Sequence, residues 1–301
     1  MYVCGYGRDE ELFEKAYPCA LRPQGRDIVR TWLFYTLLRN LQLTEKPAFK
    51  EVLIHGMGLD EHGKKMSKSK GNIISPEKTL EKYGSESFRL WAASETSVGG
   101  DFRISEERIL GTGKFLTKLW NTSRFISSFE CKDIGELNNT DKWILSELNK
   151  LIKECNEGYN EYNFFIPANK TREFIWNTFA SQYLEMAKTR AYEGDISALY
   201  TLHTCLKIIC KLLAPITPFI TDKIYREVYG ETVHKQKLPE YNETWESNLI
   251  ELTEKIIEFN SMIWKTKKEK NMPLNAEIQG IQIPEELKPF EDDLKKMHKL
   301  M

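Results

Sequence analysis

Four lysines, two serines and two glycines crowd into the eleven residues His62-Gly63-Lys64-Lys65-Met66-Ser67-Lys68-Ser69-Lys70-Gly71-Asn72. That composition suits a mobile loop that closes on a polyphosphate. Ammonium groups neutralise phosphate oxygens as point charges. Hydroxyls add neutral donors, and glycine lets backbone N–H groups come close to an anion. A grip of the P-loop type is excluded by detail. Gly58-Leu59-Asp60-Glu61-His62-Gly63-Lys64 has the spacing G-x-x-x-x-G-K, but Lys65 follows where Ser or Thr must hold magnesium. Asp60 and Glu61 would also put carboxylates into the phosphate cradle.

Such a loop needs a platform. Val52-Leu53-Ile54 reads as a short buried strand ending at His55-Gly56. Ahead of it, the spacing predicts a helix from about Asp27 to Leu41. Asp27 suits the first turn, where a carboxylate favours the positive end of the dipole. Ile28, Trp32, Leu33, Thr36 and Leu37 give the stripe, and Pro47 breaks the chain. Helix, strand and glycine-rich loop in this order belong to an α/β nucleotide fold, where ligands sit beyond the carboxyl ends of the strands. Residues 1–26, with Gly5, Gly7, Pro18, Pro23 and Gly25, are expected to be irregular.

Beyond Asn72 the pattern changes. A short helix is expected from Pro76 to Tyr83, ended by Gly84, with a second one capped by Ser85. From about 105 to 229 apolar residues recur at three and four: Trp143, Ile144, Leu148, Leu151, Ile152 and Cys155, then Ile175, Phe179, Tyr183 and Met186, then Leu199, Leu202, Leu206, Ile209 and Leu213. These stripes describe a helix bundle, their Trp and Tyr serving as core. Residues 241–301 form a charged amphipathic segment.

The 301 residues allow about two domains. With 43 Lys plus Arg against 44 Asp plus Glu, the net charge of −1 leaves any RNA contact to local patches. One is the basic run Lys265, Lys267, Lys268 and Lys270, read as a solvated helix face or an RNA-phosphate contact. The six cysteines form no C-x-x-C and no zinc pattern, as expected of reduced thiols. No signal peptide and no apolar run of about 18 residues is found, so a cytoplasmic chain without a membrane span is expected.

Lys65-Met66-Ser67-Lys68-Ser69 resembles the KMSKS signature of class I aminoacyl-tRNA synthetases. Ile54-His55-Gly56 through Leu59-Asp60 to Asn72 is similar to that block in the class Ia branch handling Val, Ile and Leu. Asp141-Lys142-Trp143-Ile144-Leu145-Ser146 resembles the opening of its anticodon-binding helices, and Leu213-Ala214-Pro215-Ile216-Thr217-Pro218-Phe219-Ile220 a later one. Arg22-Pro23-Gln24-Gly25-Arg26-Asp27-Ile28-Val29-Arg30-Thr31-Trp32 points most narrowly to the archaeal-type valyl family. The resemblance runs from about Asp9 to Lys299. It implies an α/β plus all-α chain: the second half of a Rossmann-type catalytic domain with its KMSKS loop (1–104), an anticodon-binding helix bundle (105–240) and a charged C-terminal segment (241–301).

No segment resembles the HIGH motif or the inserted editing domain, so the resemblance implies the C-terminal half of the enzyme, with the N-terminal half as partner. It further implies an ATP-dependent ligase with Lys65 and Lys68 as catalytic cations. Lys68, Ser67, Ser69, Gly25, Asp27, His55 and Gly56 would bind ATP, and Ile28 and Trp32 would wall the valine pocket. Lys265, Lys267 and Lys268 would touch tRNA. Magnesium would arrive with ATP and have no fixed protein site. The implied partners are ATP, valine and tRNA(Val), with neither DNA nor membrane. Two alternatives stay open: a fragment of an isoleucyl or leucyl enzyme, and a non-catalytic tRNA-binding module.

Overall fold

The computed structural model describes residues 1–73 and 75–300; the Lys68 side chain lies outside the described residues. The chain divides into two compact units, one of Met1–Lys82 with Ala92–Glu107 and the other of Tyr83–Trp91 with Arg108–Met301.

The first unit is α/β. Helix α1 (Glu10–Ala16) is capped by Asp9, whose carboxylate accepts from the Leu12 amide at 3.0 Å. Strand β1 (Cys19–Gly25) pairs in parallel with β2 (Phe49–His55), the crossover between them being helical. The stretch read as irregular thus holds a helix and a strand. Pro18 and Pro23 argue against a strand only in a sheet interior; a two-stranded pair has edges, where proline costs no ladder bond. The crossover starts with a 3-10 turn (Arg26–Ile28), opens into a π-helical turn (Val29–Leu33) and settles into α2 (Phe34–Thr44). Its apolar stripe is largely uncovered: Ile28, Trp32, Phe34, Tyr35, Leu38 and Leu41 are all exposed.

A second parallel pair joins β3 (Gly58–Leu59) to β4 (Phe102–Arg103). Between them lie the lysine-rich loop, α3 (Pro76–Tyr83) and α4 (Ser85–Glu95). The bounds of α3 follow from Pro76 at its start and Gly84, at φ 79°, beyond its end.

The second unit is helical: α5 (Glu106–Ser127), α6 (Asn139–Asn160), α7 (Phe165–Glu173), α8 (Leu184–Tyr192), α9 (Ile196–Leu213), α10 (Pro218–Tyr229), α11 (Thr253–Glu269) and α12 (Glu291–His298). A π-helical segment (Phe174–Tyr183) runs between α7 and α8. The expected stripes are buried, with Trp143, Ile144, Leu148, Phe179, Tyr183, Leu202 and Leu206 in the core. Helix α9 has the length and apolar composition to cross a membrane, but 72% of it is buried among the other helices, as the core helix of a bundle is.

Residues 241–300 pack into this same unit. Asn149 on α6 donates to the Asn242 carbonyl at 3.0 Å and accepts from its amide at 2.8 Å. The Trp143 indole donates to Thr253 at 2.8 Å. Buried Arg190 on α8 donates to Asp141 on α6 (2.9 and 3.0 Å) and to Asp293 on α12 (2.9–3.2 Å), and also reaches Asp195 at 2.9 Å. These carboxylates outweigh the cost of burial and raise the guanidinium's affinity for its proton.

Candidate functional site

The site residues of the first unit gather at the carboxyl ends of β1 and β2. Register sets Gly25 opposite His55, so both strands end side by side. The His55 Nδ1 lies 2.9 Å from the Gly56 carbonyl. Gly56 is required by space within the chain: a Cβ there would lie 1.8 Å from the Gly100 carbonyl oxygen. Gly25 is different. A Cβ would meet only His55 and Ile28, at 3.7 Å, which is ordinary contact. Nothing among the described residues demands glycine at that position.

Just beyond β1, charges alternate. Asp101 accepts from Arg26 at 2.8 Å, the Arg26 Nε lies 4.0 Å from Asp27, and Asp27 accepts from the Lys65 ammonium. Asp101 also accepts from the Met57 amide at 2.8 Å. That amide first, and then Arg26, hold its carboxyl below the usual range. Asp27 and Lys65, predicted from separate parts of the sequence, are therefore in contact.

The loop has its own order. Leu59 bridges Lys65 in antiparallel fashion, and a tight turn carries the chain from Asp60 to Gly63, whose φ is 76°. Asp60, expected to repel a ligand if it faced a phosphate cradle, is buried instead. Its Oδ1 accepts from the amides of His62 (3.0 Å) and Lys64 (2.7 Å), and its Oδ2 from the Asn72 amide group (2.8 Å). The Asn72 bond first, and then the Lys64 amide, hold its carboxyl below the usual range. Asn72 Oδ1 accepts from the Ser67 amide at 3.0 Å. The Ser67 and Ser69 hydroxyls lie 3.2 Å apart. The arrangement can present ammonium and hydroxyl donors to an anion lying off the strand ends.

Ile28 and Trp32 line an open groove with Thr31, Tyr35, Thr36 and Arg39. Trp32 is 60% exposed, and the Arg22 guanidinium sits 5.0 Å from its ring centre. The groove is a surface, not an enclosed pocket.

Lys265 and Lys268 lie exposed on α11 in the other unit. Lys267 corrects the expectation of a surface run. It is fully buried, and its ammonium donates to the carbonyls of Leu274 and His298, each at 2.8 Å. It follows Ile256, Phe259 and Ile263 on the buried stripe, a phase that the lysine-rich composition masks.

Sequence reasoning missed Asp101, Arg26 and the Asp60–Asn72 pair as partners within the site. The available signal for Asp60 was its place at the head of a turn that closes on a glycine.

Among the described residues, no group of three or more His, Cys, Asp or Glu could hold a metal ion. The donors present at the loop suit phosphate oxygens; magnesium carried by a nucleotide takes most of its ligands from phosphates and water.

Parallel strands ending at a lysine-rich loop, with a separate helix bundle, define a class. A family profile for class I tRNA synthetases (I, L, M and V) matches residues 1–105, and one for the anticodon-binding domain of tRNA ligases matches 141–282. Between them the two profiles match most of the chain, which is similar to class I tRNA synthetases over residues 1–105 and to their anticodon-binding domain over 141–282. Among its relatives, the valine–tRNA ligase of Nanoarchaeum equitans is 40% identical over 98% of this chain and 39% of its own length. That of Pyrobaculum aerophilum is 40% identical over 100% of the chain and 39% of its own length. The chain thus spans about two fifths of the length of the curated relatives it matches.

Two solved structures share the fold. The agnB2 LeuRS of Agrobacterium radiobacter K84, in a ternary complex with tRNA and LeuAMS, has a TM-score of 0.66 at 20% identity, covering 78% of this chain and 30% of that one. The Mycobacterium tuberculosis methionyl-tRNA synthetase, in complex with methionyl-adenylate, has a TM-score of 0.61 at 22% identity, covering 73% and 46%.

Proposed function

We propose that this chain supplies the KMSKS loop and the anticodon-binding helices of a valine–tRNA ligase, working with the N-terminal part of the enzyme in the cytoplasm. The observation that carries the reading is the meeting of Lys65 with Asp27 at the ends of β1 and β2. Two groups that a nucleotide would need, a cation for phosphate and a carboxylate for ribose, already stand together. The exposed stripe on the crossover helix supports a partner that covers it.

In the first step a valine carboxylate oxygen attacks the α-phosphorus of ATP. The bond to the bridging oxygen breaks, giving valyl-adenylate and pyrophosphate. Negative charge grows on the departing pyrophosphate, and fixed cations there stabilise the transition state more than the ground state. Lys65 and Lys68 fill that role, with Ser67 and Ser69 as neutral donors. Asp27 accepts from the ribose, Gly25, His55 and Gly56 lie along adenosine, and Ile28 and Trp32 wall valine once the partner closes the groove. Magnesium, bound through phosphate oxygens, would neutralise further charge. In the second step the terminal ribose 2′-hydroxyl of tRNA(Val) takes the acyl group and AMP leaves. Lys265 and Lys268 contact tRNA phosphates.

The test is retention of total tRNA by the full chain at two salt concentrations, with sequencing of what is held. Selective enrichment of valine tRNA that weakens with salt supports the reading. Enrichment of isoleucine or leucine tRNA moves it to a sister enzyme, and no enrichment overturns tRNA binding by this chain.

A further inference from the structure

We propose that Asp60 and Asn72 are positioning residues that hold the KMSKS loop in its presenting shape, without touching the ligand themselves. The inference rests on the reading of this loop as a phosphate grip. Lys64, Lys65 and Ser67 sit between the two residues in sequence, and their backbone is tied to the two side chains. Asp60 takes the amides of His62 and Lys64. Asn72 takes the Ser67 amide at 3.0 Å and also donates to the Lys65 carbonyl at 3.3 Å. The bond between the two side chains, 2.8 Å from Asn72 Nδ2 to Asp60 Oδ2, closes the hairpin across twelve residues.

The donors and acceptors have a parity that constrains what can stand at each position. Asp60 needs acceptors toward two amides and toward Asn72. Asn72 needs an acceptor toward Ser67 and a donor toward Asp60. Asp60→Asn breaks this whichever way the amide groups turn. If Asn72 keeps its orientation, two NH2 groups face each other; if it flips, its NH2 faces the Ser67 amide. Asn72→Asp sets two carboxylates against each other, a clash that one shared proton relieves. The exchanged pair Asp60→Asn/Asn72→Asp satisfies every bond except the one to the Lys65 carbonyl. The carboxamide then at position 60 would accept from the two backbone amides and donate to the carboxylate at position 72. That carboxylate would in turn accept from the Ser67 amide.

The experiment is amide hydrogen exchange on the full chain, read as protection at Lys64 and Ser67 for the wild type, both single variants and the exchanged pair. Each single variant is expected to lower that protection about tenfold at neutral pH, the scale of one lost hydrogen bond to a charged group. The exchanged pair should return it to within about twofold of wild type, because its net bonding loss is one long contact. The loss in Asn72→Asp should shrink as pH falls and the facing carboxylates take up a proton. Glu61, His62, Lys64, Lys65 and, on β4, Arg103 are the other charged groups around this turn, and the wild-type profile over the same pH range is the reference for their contribution.

Amides of β1 and β2 report whether the unit as a whole remains folded. Protection unchanged in both single variants overturns the proposal. So does an exchanged pair no better than the singles while β1 and β2 stay protected. No nucleotide is present in this measurement, so a failure of the phosphate reading leaves its outcome intact.

Discussion

Replacing Arg190 by Met should destabilise the helical unit more than any single surface change. Arg190 is 6% exposed, and its guanidinium joins three helices and a helix cap. Its removal leaves two buried carboxylates in unequal positions. Asp141 keeps hydroxyl donors from Tyr183, at 2.6 Å, and from Ser197. Asp293, 2% exposed, has no donor other than Arg190 among the described residues. Leaving a buried charge without its partner costs about 3–5 kcal/mol. For a unit of this size that lowers Tm by roughly 6–20 °C.

Urea denaturation followed by tryptophan fluorescence suits the measurement, since buried Trp143 lies 6.1 Å from Phe290 at the start of α12. Asp293→Leu alone leaves Arg190 with Asp141 and Asp195, and should cost about 1–3 kcal/mol. The double variant orphans no charge at position 293. It should fall short of the summed single costs by about 2 kcal/mol, within the range of coupled contacts. A cost below about 1 kcal/mol for Arg190→Met, the value of an exposed pair, would refute the reasoning, as would strict additivity.

Gly56→Ala should leave the first unit poorly folded, because its Cβ has no room beside Gly100, whereas Gly25→Ala should keep wild-type melting and weaken ATP binding; circular dichroism with ATP titration separates the two. Burial, aided by Lys267, pushes the His298 imidazole down to about 4, so between pH 6.5 and 4 the unfolded chain binds a proton that the folded chain refuses. Stability of the helical unit should fall by about 3 kcal/mol over that window. His298→Gln should flatten most of the slope, and His203, also held down by burial, adds in the same sense. In enzyme assembled with its N-terminal part, Lys68→Ala should slow valine-dependent ATP–pyrophosphate exchange about 10²–10³-fold, as loss of one transition-state donor does; an unchanged rate removes Lys68 from that role. Lys265→Ala and Lys268→Ala should each reduce the salt slope of tRNA binding by about one, with buried Lys267 contributing nothing to it.

The bundle was legible because its stripes are long and strongly periodic: the spacing of Trp143 to Cys155 matches a helix whose inner face is fully covered. Helix α3 was legible because Pro76 and Gly84 mark both of its ends. Strand β1 was not, since Pro23 hides a strand that lies at an edge. Lys267 was misplaced because composition was weighed above phase: four residues after Ile263, it falls on the covered face. The lysine-rich loop could be read as a phosphate grip from composition alone, but its internal order could not. Asp60 and Asn72 meet only because the turn at Gly63 doubles the chain back, and Arg26 meets Asp101 across 75 residues. Local propensity carries no information about such closures.

The row of Asp101, Arg26, Asp27 and Lys65 has a kinetic consequence. Its four formal charges cancel, so from a distance the ends of β1 and β2 present little net field from these groups. Electrostatic steering accelerates capture when a cleft shows one sign of charge to an incoming ion of the other. Under the proposed function, an arriving triphosphate would gain the attraction of Lys65 only after that lysine lets go of Asp27. Capture then depends on how often that internal ion pair opens, and added salt, which slows steered encounters, would also loosen the pair that blocks the lysine.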